Sequence, residues 1–323
     1  MLGWAGTPRR VLVSHGPGGC IPPSLLDLST VSVSTLRALR ARGEALRRGD
    51  PVTLRTGAPV ALLCGEPMPY VRAAIEAAAA QLGLRLVVYG PAEVARMGEA
   101  QVAGQRLGAM HAAVLVGGLP AEVLAAMASR SACPMVEAGG AGGDPAGALA
   151  DLWVLEAALG GLAGRKLAWI GDACGLLYDL LLAGPAQGLS IAHAHPIGYA
   201  PDPQRVTWGR ERAAVTGAAV LVTQDVTEAI AEAHAIYAEP WPEGAADRFR
   251  GFAVQRHALR GARGRAVVLH RYPEFRGQEL SASLTEDGGW LAIEQSRSRV
   301  DAWGALLWWL LDPDPLRSVL RLH

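Results

Sequence analysis

Two histidines one residue apart, His193 and His195, are the first feature of this sequence that could do chemistry. On a strand, side chains two apart share a face, so the pair could offer two imidazoles to a metal ion. No nearby Asp or Cys supplies a third ligand, and the pair is read as the polar end of a strand. The cysteines, Cys20, Cys64, Cys133 and Cys174, are scattered and form no C-x-x-C pair. They suggest neither a zinc site nor a disulfide framework, and their expected state is reduced. The turn Gly171-Asp172-Ala173-Cys174-Gly175 opens a helix after a strand, as dinucleotide sites do, but lacks the full glycine spacing. The chain holds no G-x-S-x-G elbow and no phosphate-binding Walker loop. Neither metal nor cofactor is expected.

The elements that would carry any site follow a regular order. The runs Val60–Cys64, Leu84–Tyr89, Ala112–Val116 and Pro134–Val136 read as strands. Helix-like stretches lie at Val31–Arg48, Pro69–Leu82 and Pro120–Ser129. A long helix follows from Asp144 to about Leu162, with Asp144 as N-cap, Pro145 at the first position and Gly160-Gly161 at its end. The alternation then restarts. Leu167–Ile170, Leu189–Ala194, Ala219–Val222, Ile236–Ala238 and Val267–His270 read as strands, and Leu176–Gln187, Pro203–Val215 and Thr227–His234 as helices. Such alternation predicts an α/β fold of two lobes, each a parallel sheet covered by helices, joined by the long helix. The amphipathic stretch Val300–Leu311, with three tryptophans, needs a large apolar surface.

Bulk composition agrees with that architecture. The 323 residues suffice for two cores, half of them are apolar, and 19% are charged. Lys+Arg and Asp+Glu are balanced at 30 each, so the chain has no electrostatic footprint for nucleic acid. Lysine is nearly absent, with arginine in its place. Met1–Arg10 has no apolar core of signal-peptide length, and Ala302–Leu311 falls short of the ~20 residues a membrane span needs. A cytoplasmic protein without membrane contact is the expectation.

Several stretches, kept in order over nearly the whole chain, resemble signatures of the ornithine and aspartate carbamoyltransferases. They are Leu25-Leu26-Asp27-Leu28-Ser29, Leu149-Ala150-Asp151-Leu152, Lys166-Leu167-Ala168-Trp169-Ile170-Gly171-Asp172, Gly198-Tyr199-Ala200-Pro201-Asp202-Pro203, and His270 with Pro273 and Arg276-Gly277. The resemblance implies a carbamoyl-phosphate lobe over 1–143 and an amino-acid lobe over 144–297. It also implies a final helix within 298–323 that returns to the first lobe, and a trimer with active sites between subunits.

The ligands that the resemblance implies are largely missing. The family's Ser-Thr-Arg-Thr-Arg turn, which grips phosphate at a helix N-terminus, aligns with Met68-Pro69-Tyr70-Val71-Arg72. Only Arg72 survives; Pro69 has no N–H to donate, and Glu66 adds a negative charge. Gly117 stands at the strand-end arginine, and Asp144-Pro145-Ala146-Gly147 at His-Pro-x-Gln. The groups that would polarise the carbamoyl carbonyl are thus absent, and Asp144 would repel an oxyanion. Arg299 matches the late arginine of the family. On the amino-acid side the expected asparagine falls at Cys174 or Gly175, Glu239 stands at the aspartate before Val-Trp, Trp241 keeps the tryptophan, and Arg271 replaces the cysteine of His-Cys-Leu-Pro.

The residues expected at the interlobe cleft are therefore Arg72, Arg271, Arg276 and Arg299 for an anion, and Glu239, Trp241 and Asp172 for an amine. Tyr70, Asp144, His270 and Tyr272 would line it. Losing one oxyanion donor costs about 3 kcal/mol of transition-state stabilisation, and here several are gone together. The leading expectation is a divergent ornithine carbamoyltransferase-like protein without ordinary carbamoyl transfer, assembled as a homotrimer or with an active partner subunit. The alternatives are a transferase with a changed acyl or amino-acid substrate, and a genuine ornithine carbamoyltransferase.

Overall fold

The computed structural model describes residues 24–50, 52, 54, 56–264, 266–272, 278–286 and 289–312. After helix α1 (Val33–Arg47), capped by the Ser32 hydroxyl, the first sheet forms from β1 (Val60–Cys64), β2 (Leu86–Tyr89), β3 (Ala113–Gly117) and β4 (Met135–Glu137). Its helices are α2 (Pro69–Gln81), α3 (Pro91–Val94), α4 (Ala100–Met110) and α5 (Ala121–Ala128). The order is β2-β1-β3-β4, parallel throughout. Every residue of β1 and β3 is buried, as strands covered on both faces must be, and this is why they read as unbroken apolar runs.

Helix α6 (Pro145–Leu159) leads to the second sheet, made of β5 (Lys166–Ile170), β6 (Ser190–Ala194), β7 (Val220–Thr223), β8 (Ala235–Ala238) and β9 (Val267–His270). The order is β7-β6-β5-β8-β9, again parallel. Its helices are α7 (Gly175–Ala183), α8 (Pro203–Thr216), α9 (Val226–Ile230), α10 (Ala246–Phe249) and α11 (Ala282–Thr285). The last helix, α12 (Ala292–Leu311), packs on α6, α2 and α1, so the chain returns to the first lobe. In each sheet the strand order reverses once, beside β1 and beside β5. Crevices at such reversals, outside the C-terminal strand ends, are where open α/β sheets hold ligands.

Buried polar groups tie the parts together. Asp179 of α7 accepts from the backbone N–H of Leu28 (2.6 Å) and of Asp144 (2.7 Å), joining three segments. Tyr237 of β8 donates to Asp151 of α6 (3.0 Å), and Gln295 of α12 donates to the same carboxyl (2.8 Å). The backbone N–H of His270 closes the network on Gln295 (3.1 Å).

Several boundaries differ from those the sequence predicts. The final helix begins at Ala292, eight residues before Val300, because its first two turns are polar and half exposed. The stretch Leu176–Gln187 breaks after Ala183, where Pro185 cannot donate an N–H, and continues as a 3-10 turn. Helix α9 ends at Ile230, and His234 belongs to the entry of β8. Helix α4 is unpredicted. It is rich in small residues, and a Cβ on its Gly104 would stand 2.1 Å from the Met127 carbonyl oxygen. Its buried face, Ala103, Gly104, Leu107 and Gly108, is a stripe of mostly small residues packed closely on α5.

Candidate active site in the interlobe cleft

The first-lobe wall starts where β1 ends. Pro69 occupies the first helical position of α2, and the N-cap Met68 supplies no side-chain cap. Met68 instead folds over Gly117, whose Cβ, if present, would lie 2.3 Å from the methionine Cε and 2.8 Å from the Ala138 carbonyl oxygen. The space in which a strand-end side chain would start is thus filled by the loop's own methionine. Gly117→Ala is expected to destabilise the fold by about 1–3 kcal/mol through overpacking, measured by urea denaturation. Adding Met68→Ala should recover only part, since the carbonyl contact remains; full tolerance of Gly117→Ala alone would contradict this packing.

Arg72 turns away from the loop, and its Nε donates to Glu76 on the next turn of α2 (2.7 Å). Both side chains are about half exposed, at 52% and 45%. Tyr70 reaches across the cleft to Tyr272 of the second lobe, with ring centroids 3.7 Å apart. The two aromatics therefore span the opening.

The floor is acidic. The Asp144 carboxylate accepts from the N–H of Gly147, so the N-cap role holds, and its other oxygen lies 3.7 Å from Arg299 Nη1. Burial pulls the Arg299 guanidinium down, but Asp144 and Asp151 outweigh it and leave its pKa raised. At the end of β4, Glu137 is 1% exposed, and its Oε1 has no hydrogen-bond partner among the described residues. Burial first, and the Asp144 charge second, push its carboxyl up to about 8. Sequence reasoning missed Glu137; the signal was a carboxylate ending the run Pro134–Val136 just before the glycines.

The second-lobe wall is built at β5, β8 and β9. Gly171 adopts φ +137°, and a Cβ there would lie 2.7 Å from that of Glu239. Asp172 accepts from the Ala173 N–H (2.8 Å), and burial raises its pKa. Burial likewise pushes the Cys174 thiol far up, so it is no nucleophile. Glu239 is 1% exposed and is bound by Arg271, whose Nε donates to Oε1 (2.9 Å) and whose Nη2 donates to the same oxygen. The Glu239 charge holds the Arg271 pKa well above its ordinary value. Trp241 stands beside Phe249, with centroids 6.2 Å apart. His270 donates through Nε2 to Glu279 (2.9 Å). Arg276 lies outside the described residues.

His193 and His195 lie at the C-terminal end of β6, the strand end the sequence predicts, and both are buried. Their rings bond the backbone oxygens of Gly171 (2.9 Å) and Pro196 (2.8 Å). Burial lowers the His193 pKa to about 4, which keeps that ring neutral. Among the described residues no cluster of His, Cys, Asp or Glu could hold a metal ion.

The structure brings most of the expected residues to the two walls but pairs them otherwise. Arg72, Arg271 and Arg299 do not converge on one open anion site; each faces a carboxylate, Glu76, Glu239 and Asp144 respectively. Arg271 and Glu239, expected to take an anion and an amine separately, hold each other.

The family follows from comparison with known proteins. Residues 163–310 match the family described as aspartate/ornithine carbamoyltransferase, Asp/Orn binding domain. The ornithine carbamoyltransferase of Parafrankia sp. (strain EAN1pec) is 30% identical over 256 residues, 76% of this chain and 81% of that one. The crystal structure of ornithine carbamoyltransferase from Gloeobacter violaceus superposes with a TM-score of 0.82 at 27% identity, covering 90% of this chain and 99% of that one. The Thermus thermophilus ornithine carbamoyltransferase gives 0.81 at 30% identity, covering 90% and 100%. This chain belongs to the aspartate/ornithine carbamoyltransferase family.

Proposed function

We propose that this chain is a family member that does not perform the ordinary transfer from carbamoyl phosphate to ornithine. It would act as a non-transferring homologue, assembled as a homotrimer or with an active family subunit in the cytoplasm. Its lobes would divide at residues 143 and 144. One observation carries the reading: Arg72, Arg271 and Arg299 each face a carboxylate, while Met68 fills the space over Gly117. A dianion brought here would meet no uncompensated arginine among these three. It would also approach Asp144 and Glu137 without the donors that stabilise charge in acyl transfer.

A second reading is a genuine ornithine carbamoyltransferase, favoured by the names of relatives about 30% identical. It requires the arginines to leave their carboxylates when substrate binds. Purified protein, given ornithine and carbamoyl phosphate, should form no citrulline above the uncatalysed rate. Its melting temperature should not rise with carbamoyl phosphate, since a ligand that binds only the folded state would raise it. Robust citrulline formation would establish the second reading and end the first.

A further inference from the structure

The N-terminal edge of the second sheet, opposite the cleft, carries a recess of about 350 Å³ between the entries to β5, β6, β7 and β8. That volume lies in the range of small-molecule pockets. Arg165, Lys166, His234 and Arg263 line it, with Glu232 as the acidic counterpart and Ala219 and Leu221 as apolar wall.

The charges are not matched there. Lys166 is already engaged, its Nζ donating to the carbonyls of Ala231 (2.7 Å) and Glu228 (3.3 Å). Arg263 lies 3.5 Å from Glu232. Arg165 pairs with no carboxylate among the described residues. His234 is held in one tautomer: the backbone N–H of Lys166 donates to its Nδ1 (3.2 Å), which leaves Nε2 as the ring's donor. Glu232 has φ +57°, making it the one described non-glycine in the left-handed region. Such backbone strain gathers at ligand clamps. Burial lowers the His234 pKa, and the charges of Arg165 and Arg263 lower it further against the pull of Glu232. An unneutralised positive field of this kind favours an incoming anion.

We propose that this recess is a second binding site, separate from the cleft, for a small organic anion. Arg165 and Arg263 would grip its phosphate or carboxylate head as guanidinium groups do. Its apolar body would lie along Ala219 and Leu221.

Calorimetric titration with n-butyl phosphate and with inorganic phosphate tests this. Wild-type protein should bind the butyl ester saturably and more tightly than phosphate. The double variant Arg165→Ala/Arg263→Ala should bind it about 10- to 100-fold more weakly, as loss of charged hydrogen bonds predicts. The Arg165→Gln variant serves if the double variant melts early, and should show a smaller loss in the same direction. By NMR, the His234 pKa should rise when the ester binds to wild type and stay fixed in the double variant. Absence of saturable binding, or equal affinity in wild type and double variant, would overturn the site. Equal affinity for ester and phosphate would overturn the apolar wall.

Discussion

Arg271→Ala is expected to lower the stability of the folded chain by about 2–4 kcal/mol, because it strands a buried carboxylate. Removing one partner of a buried ion pair costs about 3–5 kcal/mol. The lower figure allows for screening, since the Arg271 side chain is 39% exposed although Glu239 is 1% exposed. Glu239 Oε2 already lacks a partner among the described residues, so the guanidinium is its principal compensation. Gly171 lies against the base of the Glu239 side chain, where an added Cβ would stand 2.7 Å from the Glu239 Cβ. Combining Arg271→Ala with Glu239→Gln should restore most of the loss. Arg271→Cys, which installs the cysteine that the family resemblance implies there, should destabilise as much as Arg271→Ala. Urea midpoints of the three variants decide it. A change below about 0.5 kcal/mol in Arg271→Ala, the size of an ordinary surface substitution, would show the pair to be incidental.

That pair also marks the limit of what the sequence discloses. Arg271 and Glu239 lie 32 residues apart, each just past the end of a different strand. Nothing local says that β8 and β9 are neighbours, with Ala238 beside His270 so that the next residues meet. The individual losses were legible because each is a residue type at an aligned position: no hydroxyls at Met68 and Pro69, no imidazole at Asp144. The replacement of those ligands by three separate ion pairs was not, since it depends on side-chain direction across strand ends. The fold was easier to read. Fully buried parallel strands such as β1 announce themselves as apolar runs, and α6 carries its N-cap Asp144, its Pro145 and its left-handed Gly160 in sequence. Helix α4 is hard to read because three of the four residues on its buried face, Ala103, Gly104 and Gly108, are small; the close backbone of α5 explains them.

On the proposed reading, the cleft holds a paired and partly filled site where the family resemblance implies a basic, donor-rich one. Tyr70 against Tyr272 and Met68 against Gly117 put side chains where a ligand would need room. Asp144 stands 3.7 Å from Arg299 Nη1 and balances its charge. These changes reinforce one another, because a carboxylate near a would-be phosphate site repels the anion and also occupies the arginine left to bind it. Restoring one ligand alone would leave the others opposed.

Glu137→Gln is expected to stabilise the protein, and by an amount that grows with pH. The folded state holds the Glu137 carboxyl protonated up to about 8, against an ordinary value of 4.5, through burial and the nearby Asp144 charge. Between those two values the folded chain binds more protons at this position than the unfolded chain does, so wild-type stability falls as pH rises through the window. Each tenfold difference in proton affinity between the two states is worth about 1.4 kcal/mol, which makes the full penalty about 3–5 kcal/mol at pH 8 and about 1 kcal/mol or less at pH 5. Glutamine has no proton to lose and nearly the same shape, so the variant should escape the penalty. The difference between variant and wild type isolates this one group, because the other raised carboxyls, Asp151 at about 6 with Asp172, Asp179 and Asp301, are present in both. Urea denaturation of the two proteins at pH 5, 6.5 and 8 measures it. A variant-to-wild-type difference that is the same at all three values would mean that Glu137 finds its missing partner and stays ionised.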